Sequence, residues 1–444
     1  MKIAYFSPLN PEKSGISDYS EELLPLLGKY LTIDIYVKNP KSVSNKVLKD
    51  MFQIYSNKEF EMKKHEYNTY IYHMGNNCSI HNEIYETLLK YPGIVVIHDY
   101  ALHHFFAEYY LNNNRVNNYI EEMIYNYGLN GFQLANEFLE GKIQPLWENY
   151  SLQYPLIKRI TDHARGIITT SSFVYNKIKK DTLPICNIPV HAPEILDLEM
   201  QESINKETRK KLGIEEDILV LGTFGFLSKN KRILEILESL GEYKKINSNF
   251  IFYVVGDIAP DLNVEEIIHK YDLIDNVKIT GFVTMDVFKD YMKITDICFN
   301  LRYPTQGESS ATLNRLLGYG KIVFVNNVGS FSDLPEDVVI KIEQGKDEKK
   351  NIVDYLKLLN NKITREKYKE NIMKYATEYL SIEDCSFKYI SFIKQILIEE
   401  QCNSKLFLNK LYDEISSQIN KFSLNSECEN KIIRQSLKEI ERIW

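Results

Sequence analysis

The segment RYPTQGESSATLNRLLGYGK, residues 302–321, decides how this chain is read. The run before it, Asp296 to Leu301, is almost wholly apolar and predicts a buried strand. Pro304 and Gly307 then turn the chain, and a lone carboxylate, Glu308, follows. Ser309 and Ser310 come next, and Leu313, Leu316 and Leu317 share one face of a short helix that Gly320 ends. Serines at a helix start cap it and leave backbone N–H groups for an anion. Glu308, just off that terminus, can accept hydrogen bonds from hydroxyl groups; simple compensation of the helix dipole is the plainer role. A buried strand handing over to a helix through a polar loop is the repeating step of a parallel α/β sheet.

Working outward, the same step recurs on both sides. Ile218–Phe224, Phe250–Val255, Val277–Thr280 and Ile322–Asn326 predict further strands, with a helix over Arg232–Leu240. Nearer the start, strands are expected at Lys2–Phe6, Ile33–Val37, Thr69–His73, Gly93–His98 and Gly166–Thr170, with a helix from about Asp18 to Leu27. Residues 104–163 break the rhythm and read as consecutive helices rich in Tyr and Phe. Residues 194–215 are charged, lack a strand pattern and read as a linker. The chain therefore divides into two α/β halves of similar size. Open sheets of this kind bind ligands beyond the carboxyl ends of their strands, so two facing halves make a cleft.

Composition narrows the function classes. The chain has 444 residues, 44% apolar and 26% charged, and a net charge of −7. Such a balance fits a globular protein of more than one domain and argues against nucleic-acid binding through a basic surface. The start, MKIAYFSPLN, lacks the apolar core of a signal peptide, and no apolar run is long enough to span a membrane, so a cytoplasmic location is expected. Six scattered cysteines show neither zinc spacing nor a disulfide framework.

The chemistry-bearing residues all follow strands. SPLNPEKSGISDYS places Gly15 at a helix start, where a backbone can approach an anion. It is not a dinucleotide fingerprint, and no Walker A loop occurs in the chain. VVIHDYALHH ends a buried strand with His98 and Asp99, and His103 falls on the next helical turn. Adjacent strand residues point to opposite faces, so His98 and Asp99 are not expected to share a metal. YHMGNN, His73 to Asn77, offers a glycine and two amides, among them Asn76, suited to hydroxyl groups. GTFGFLSKNKR places Gly225 in a loop and Lys231 with Arg232 at a helix start, a cation pair suited to a diphosphate. For each motif a plain turn, cap or solvated charge is the alternative.

Taken in order, Gly15, VVIHD, ARGIITTSSFV (164–174), GFLSKNKR, VVGD (254–257), VKITGFV (277–283) and GESSATLNRLLGYGKIVFVNNVGS (307–330) resemble the retaining glycosyltransferases of family 4, over roughly residues 1–395. The resemblance implies the GT-B fold: two Rossmann-like parallel-sheet domains facing a cleft. Expected are an N-terminal acceptor domain, 1–195, with the helical insertion 104–163, and a nucleotide-sugar domain, 196–377. A crossover helix at about 378–398 would pack back on the first domain, and residues 400–444 would form a helical extension. The resemblance implies a nucleotide-sugar donor, no metal and no cofactor.

Residue by residue, Lys231 matches the family's diphosphate-binding lysine, and Phe226 stands where many members carry an arginine, which Arg232 would replace. Glu308 matches the first glutamate of the family's Glu-x₇-Glu motif, and Ser309 and Ser310 would lie at the phosphates with Gly15 and Gly225. The second glutamate is missing, and Arg315 occupies about its place. His98 matches a histidine near the transferred sugar. His98, Glu308 and Lys231 form the expected catalytic set, with Asn76, Asp99 and His103 on the side of the sugar or acceptor. The expected activity is transfer of a sugar to a surface glycan or glycolipid at the inner face of the membrane. A nucleotide-sugar epimerase of the same fold and a non-catalytic partner subunit are the alternatives. The tail carries apolar residues at helical spacing from Leu406 to Ile419 and at Ile432, Ile433, Leu437 and Ile440. Packing on the chain's own first half, a homo-oligomer contact and a peripheral membrane contact each fit that stripe.

Overall fold

The computed structural model describes residues 1–180 and 183–421, with side chains to residue 402. Two parallel sheets account for its strands. The first has β1 (Lys2–Phe6), β2 (Thr32–Val37), β3 (Gln53–Ser56), β4 (Thr69–Met74), β5 (Gly93–Ile97), β6 (Ala164–Thr169) and β7 (Ile185–Asn187), in the spatial order β3-β2-β1-β4-β5-β6-β7. The second has β8 (Leu219–Phe224), β9 (Phe250–Val255), β10 (Val277–Gly281), β11 (Ile297–Phe299), β12 (Ile322–Asn326) and β13 (Ile340–Ile342), in the order β10-β9-β8-β11-β12-β13. Every strand pairing is parallel, with Ile3 beside Ile33 and Leu219 beside Phe250. Central strands buried on both faces explain why their sequences are unbroken apolar runs. In each sheet the strand order reverses once, at β1/β4 and at β8/β11. Those two switch points are where an open sheet leaves a crevice for a ligand.

Each half has its own core. Phe6, Tyr36, Phe60 and Tyr72 interlock under the first sheet, with rings stacked or edge-on at about van der Waals spacing. The aromatic insertion is helical, as its sequence predicts: α1 (Gly15–Leu27) lies before it, and α2 (His103–Leu111) and α3 (Val116–Leu139) build it. Phe105, Phe106 and Tyr119 of this insertion are fully buried in the first core.

Two expectations change. Residues 194–215 are not an irregular linker, because α4 (Leu198–Lys211) fills most of the span. Its buried residues are Gln201, Thr208 and Arg209, so no apolar stripe announces it. Asp197 caps it by accepting from the Met200 amide at 2.8 Å, and Arg209 anchors it to Asp296 at 2.7 Å. The short strands β3, β7 and β13 were also absent from the sequence reading; β3 and β7 have only half-buried or exposed side chains.

The chain divides into two compact units, Met1–Tyr389 and the remainder from Ile390. Both sheets lie in the first. Helix α5 (Ala311–Gly318) follows the decisive loop, and α6 begins at Ile382 and continues to Lys421 as one helix. Within the first unit, the Tyr389 hydroxyl meets that of Tyr19 on α1 at 2.8 Å. The expected apolar positions at 432, 433, 437 and 440 lie outside the described residues.

Candidate active site

Four loops, two from each half, meet where the strands end. The loop after β1 leads into α1, whose first amides are capped by Ser14, its Oγ accepting from the Ile16 amide at 3.2 Å. Gly15 is exposed, and a Cβ built there would have no neighbour within 4 Å, so the helix start opens onto free space.

The loop after β4 is tied to the end of β5. The Asn76 amide donates to Asp99 at 2.7 Å, while the Asn76 side-chain carbonyl accepts from the Phe105 amide at 2.9 Å. That carbonyl therefore holds the first turn of α2. Burial lifts the Asp99 carboxyl to about 6, and the charge of Glu308 adds to the effect. His98 Nε2 lies 2.9 Å from His73 Nδ1, and burial pushes His98 down to about 3.

His103 does not join them. Its ring is fully buried, and both nitrogens are occupied, Nδ1 with the Tyr154 carbonyl at 2.7 Å and Nε2 with the Tyr119 hydroxyl at 2.8 Å. It ties the first turn of α2 to Tyr119 of α3 and to the Tyr154 segment inside the insertion, which corrects its expected place beside a sugar.

In the second half, Gly225 adopts φ +90°, and a Cβ there would sit 3.2 Å from Lys231 Nζ. The left-handed backbone favours glycine, and a side chain there would crowd the lysine ammonium. Lys231 donates to the Phe224 carbonyl at 3.1 Å. Burial brings its ammonium down to about 7; the neighbouring Arg302 charge adds to this and Glu308 opposes it. Arg232 diverges from Lys231. At φ 58° its backbone is left-handed, and its guanidinium holds buried Glu348 and, at 2.9 Å, Glu235. With two carboxylates already on it, Arg232 does not pair with Lys231 to form the expected diphosphate clamp.

The decisive loop is pressed against the first half. A Cβ on Gly307 would come within 2.8 Å of Tyr100 Cβ. The Ala101 amide donates to the Gln306 carbonyl at 2.8 Å, and the Ser151 hydroxyl to the Thr305 carbonyl at 2.9 Å. Ser309 Oγ donates to the Thr170 carbonyl at 2.9 Å, so its hydroxyl joins the two halves. Ser310 caps α5, accepting from the Leu313 amide at 3.2 Å, as its sequence predicts. Glu308 is buried and accepts from Thr305 Oγ1 at 2.6 Å, the Gln306 amide at 2.7 Å and Arg302 at 3.1 Å. Three donors fix its carboxylate before any ligand arrives.

Arg315 is elsewhere. It is 5% exposed and pairs at 2.6 Å with Glu22 of α1, whose other oxygen meets His191 at 3.1 Å. Burial opposes ionisation of Glu22, yet the His191 hydrogen bond and the Arg315 charge outweigh it and hold the carboxyl below its usual range. Arg315 thus joins the two halves, which corrects its expected position as a donor ligand.

The structure therefore brings Lys231, Glu308 and Asp99 into one neighbourhood between the switch points, with His98 next to Asp99 in the chain but turned toward His73 and Tyr19. It adds two residues that sequence reasoning missed. Arg302 couples electrostatically to both Lys231 and Asp99, and His73 touches His98. The signal for Arg302 was its place one step past an apolar strand. Among the described residues, no three His, Cys, Asp or Glu side chains gather as a metal site.

Comparison with known proteins agrees with this geometry. Residues 204–375 match the family described as glycosyl transferases group 1. Comparison with curated protein sequences gives no match. Among solved structures, HepE from Anabaena in complex with UDP and glucose aligns with a TM-score of 0.59 at 13% identity, over 90% of this chain and 99% of that one. Sucrose-phosphate synthase from Thermosynechococcus elongatus aligns at 0.61 and 11% identity, over 90% and 100%. WaaG, a glycosyltransferase involved in lipopolysaccharide biosynthesis, aligns at 0.56 and 14% identity, over 88% and 99%. The two parallel sheets thus have the GT-B-like fold of these solved structures, and residues 204–375, the second-sheet half, carry the match to the glycosyl transferases group 1 family.

Proposed function

We propose that the chain is a retaining glycosyltransferase that moves a sugar from a nucleotide-sugar donor to a hydroxyl of a surface glycan or glycolipid, with the chemistry centred on Lys231, Glu308 and His98. The observation that carries this reading is the meeting of Lys231, Arg302, Glu308 and Asp99 where strands of the two sheets end, with His98 the residue before Asp99. The diphosphate of the donor takes the cationic side, against Lys231, Arg302 and the amide ends of α1 and α5. Gly15 and Gly225 let backbone approach it, and the first turn of α5 at Ser309 and Ser310 contributes amides. As the bond from the anomeric carbon to the phosphate breaks, negative charge grows on the leaving oxygen, where these fixed groups stabilise it.

The acceptor hydroxyl enters from the same face, so configuration is retained. Its proton passes to the departing phosphate as the new bond forms. Glu308, held rigid by its three donors, orients the sugar, and His98 meets it from the first half. The involvement of WaaG in lipopolysaccharide biosynthesis supports a glycan acceptor, and the UDP and glucose held by HepE support a nucleotide-sugar site in this fold.

A panel of nucleotide sugars, read by nucleoside-diphosphate release with and without glycan acceptors, tests the assignment. Lys231→Ala and Glu308→Ala should abolish transfer while the fold survives. His98→Ala should cut turnover and leave nucleoside-diphosphate affinity nearly unchanged. A folded Lys231→Ala enzyme that transfers at the wild-type rate would overturn the reading. Epimerised donor without acceptor consumption would favour an epimerase.

A further inference from the structure

His73 lies on β4 and His98 just past the end of β5, and their rings stack with centroids 5.2 Å apart and an interplanar angle of 28°. The contact between them is specific: Nδ1 of His73 to Nε2 of His98 at 2.9 Å. Burial lowers the proton affinity of both rings, His98 to about 3, so at neutral pH each is uncharged and carries one N–H. One ring must then donate to the other, and the far nitrogens decide which.

His73 Nε2 is buried and has no partner among the described residues. His98 keeps 9% exposure, and its Nδ1 is not among the enclosed, unpartnered atoms. If His98 donated, His73 would carry its proton on Nε2, leaving a buried N–H with no acceptor. If His73 donates, Nε2 is left only with an unfilled lone pair. Orphaned buried N–H groups are the rarer and costlier of the two. The second arrangement places the proton of His98 on Nδ1, the accessible nitrogen. Tyr5 against His73, at 4.6 Å between centroids, and Tyr19 edge-on to His98, at 5.1 Å, hold both rings in these orientations.

We infer that His73 is a positioning residue that locks His98 as its Nδ1–H tautomer, so that His98 offers the transferred sugar a hydrogen-bond donor. The recipient is an oxygen of that sugar acting as acceptor. The inference rests on the placement of His98 beside the sugar proposed above. It concerns no proton transfer, since both rings remain neutral throughout.

The test is ¹⁵N NMR of the full chain labelled at histidine, near pH 7.5, with His98 assigned by its loss in His98→Ala. The expected spectrum has Nδ1 of His98 protonated and Nε2 unprotonated, coupled through the hydrogen bond to His73 Nδ1–H. A His98 proton on Nε2 in the wild-type protein overturns the inference whatever the activity shows. In His73→Leu the donor is gone, and the His98 proton should redistribute toward Nε2. Loss of one neutral hydrogen bond should lower kcat roughly three- to tenfold, with nucleoside-diphosphate Kd unchanged within about twofold. A folded His73→Leu protein whose His98 spectrum does not move also overturns it. Should His98→Ala leave turnover intact, the sugar-side reading fails, while the tautomer assignment still stands or falls on the spectrum.

Discussion

Lys231 offers the sharpest test of how this site binds its donor. In the free protein its ammonium titrates at about 7, lowered by burial and by the neighbouring charge of Arg302. A diphosphate placed beside it would favour the charged form and draw its pKa back up. Binding should therefore take up a proton and weaken as pH rises. If only the charged amine binds tightly, apparent Kd scales as one plus the ratio of neutral to charged lysine. Between pH 7 and 8.5 that factor grows about sixteenfold. The window avoids Asp99, which titrates at about 6, and the second phosphate ionisation, which is also near 6.

Titration calorimetry of a nucleoside diphosphate at pH 8, in two buffers of different ionisation enthalpy, should reveal uptake of about 0.9 proton. Lys231→Met should bind weakly at every pH and show no uptake. The same shift has a stability sign. A lysine whose folded pKa is below its unfolded value destabilises the fold at low pH, and that penalty is relieved as pH rises from 7 toward 10.5. Lys231→Met should therefore raise the Tm of the free protein at pH 7 while removing donor binding. A flat Kd between pH 7 and 8.5, with no proton uptake in the wild type, would refute the reasoning.

The Arg315–Glu22 pair joins the two halves, and removing Arg315 leaves the half-buried Glu22 carboxylate with His191 alone. Arg315→Met should lower unfolding free energy by about 2–4 kcal/mol, and Arg315→Met with Glu22→Met should recover most of it. If Arg315→Met instead keeps its stability and loses nucleotide affinity, Arg315 faces the donor after all. Transfer activity should persist in excess chelator, because Lys231, Arg302 and helix-start amides meet the diphosphate charge. Loss of activity that manganese or magnesium restores would count against that charge balance.

What the chain discloses in one dimension follows from what is local. Each strand of the cleft is a buried parallel strand, so its apolar run is visible, and loops after such strands are where ligands bind. Glu308, Lys231, His98 and Asp99 could be singled out on that ground alone. The fates of Arg232, Arg315 and His103 could not, because each depends on a partner far away in the chain: Glu348, Glu22, and Tyr119 with the Tyr154 carbonyl. A cation beside a candidate site looks the same in sequence whether it is free or already neutralised. Helix α4 was hidden for a different reason. Its inward face is polar, so hydrophobic periodicity had nothing to report, and only the Asp197 cap marked its start.

The loop 304–310 shows why the two kinds of information must be joined. Seen from its own half, it is a strand-to-helix turn with a capped terminus. Seen from the other half, Gly307 is the only residue type that fits against Tyr100, and Ser309 is tied to Thr170. Burial raises the pKa of Asp99, and these contacts bring Glu308 close enough to add to it. Asp99 in turn accepts from the Asn76 amide in the loop that follows β4, the strand that carries His73. Two carboxylates, Lys231 and Arg302 are thus crowded into a part-buried space. Crowding of that kind costs the free protein stability, as the lowered Lys231 and raised Asp99 show. An anionic diphosphate relieves the cationic half of the strain, and a neutral sugar with hydroxyl donors satisfies the carboxylate half. A ligand that carries both a diphosphate and a sugar, as proposed above, would meet both halves of this charge arrangement.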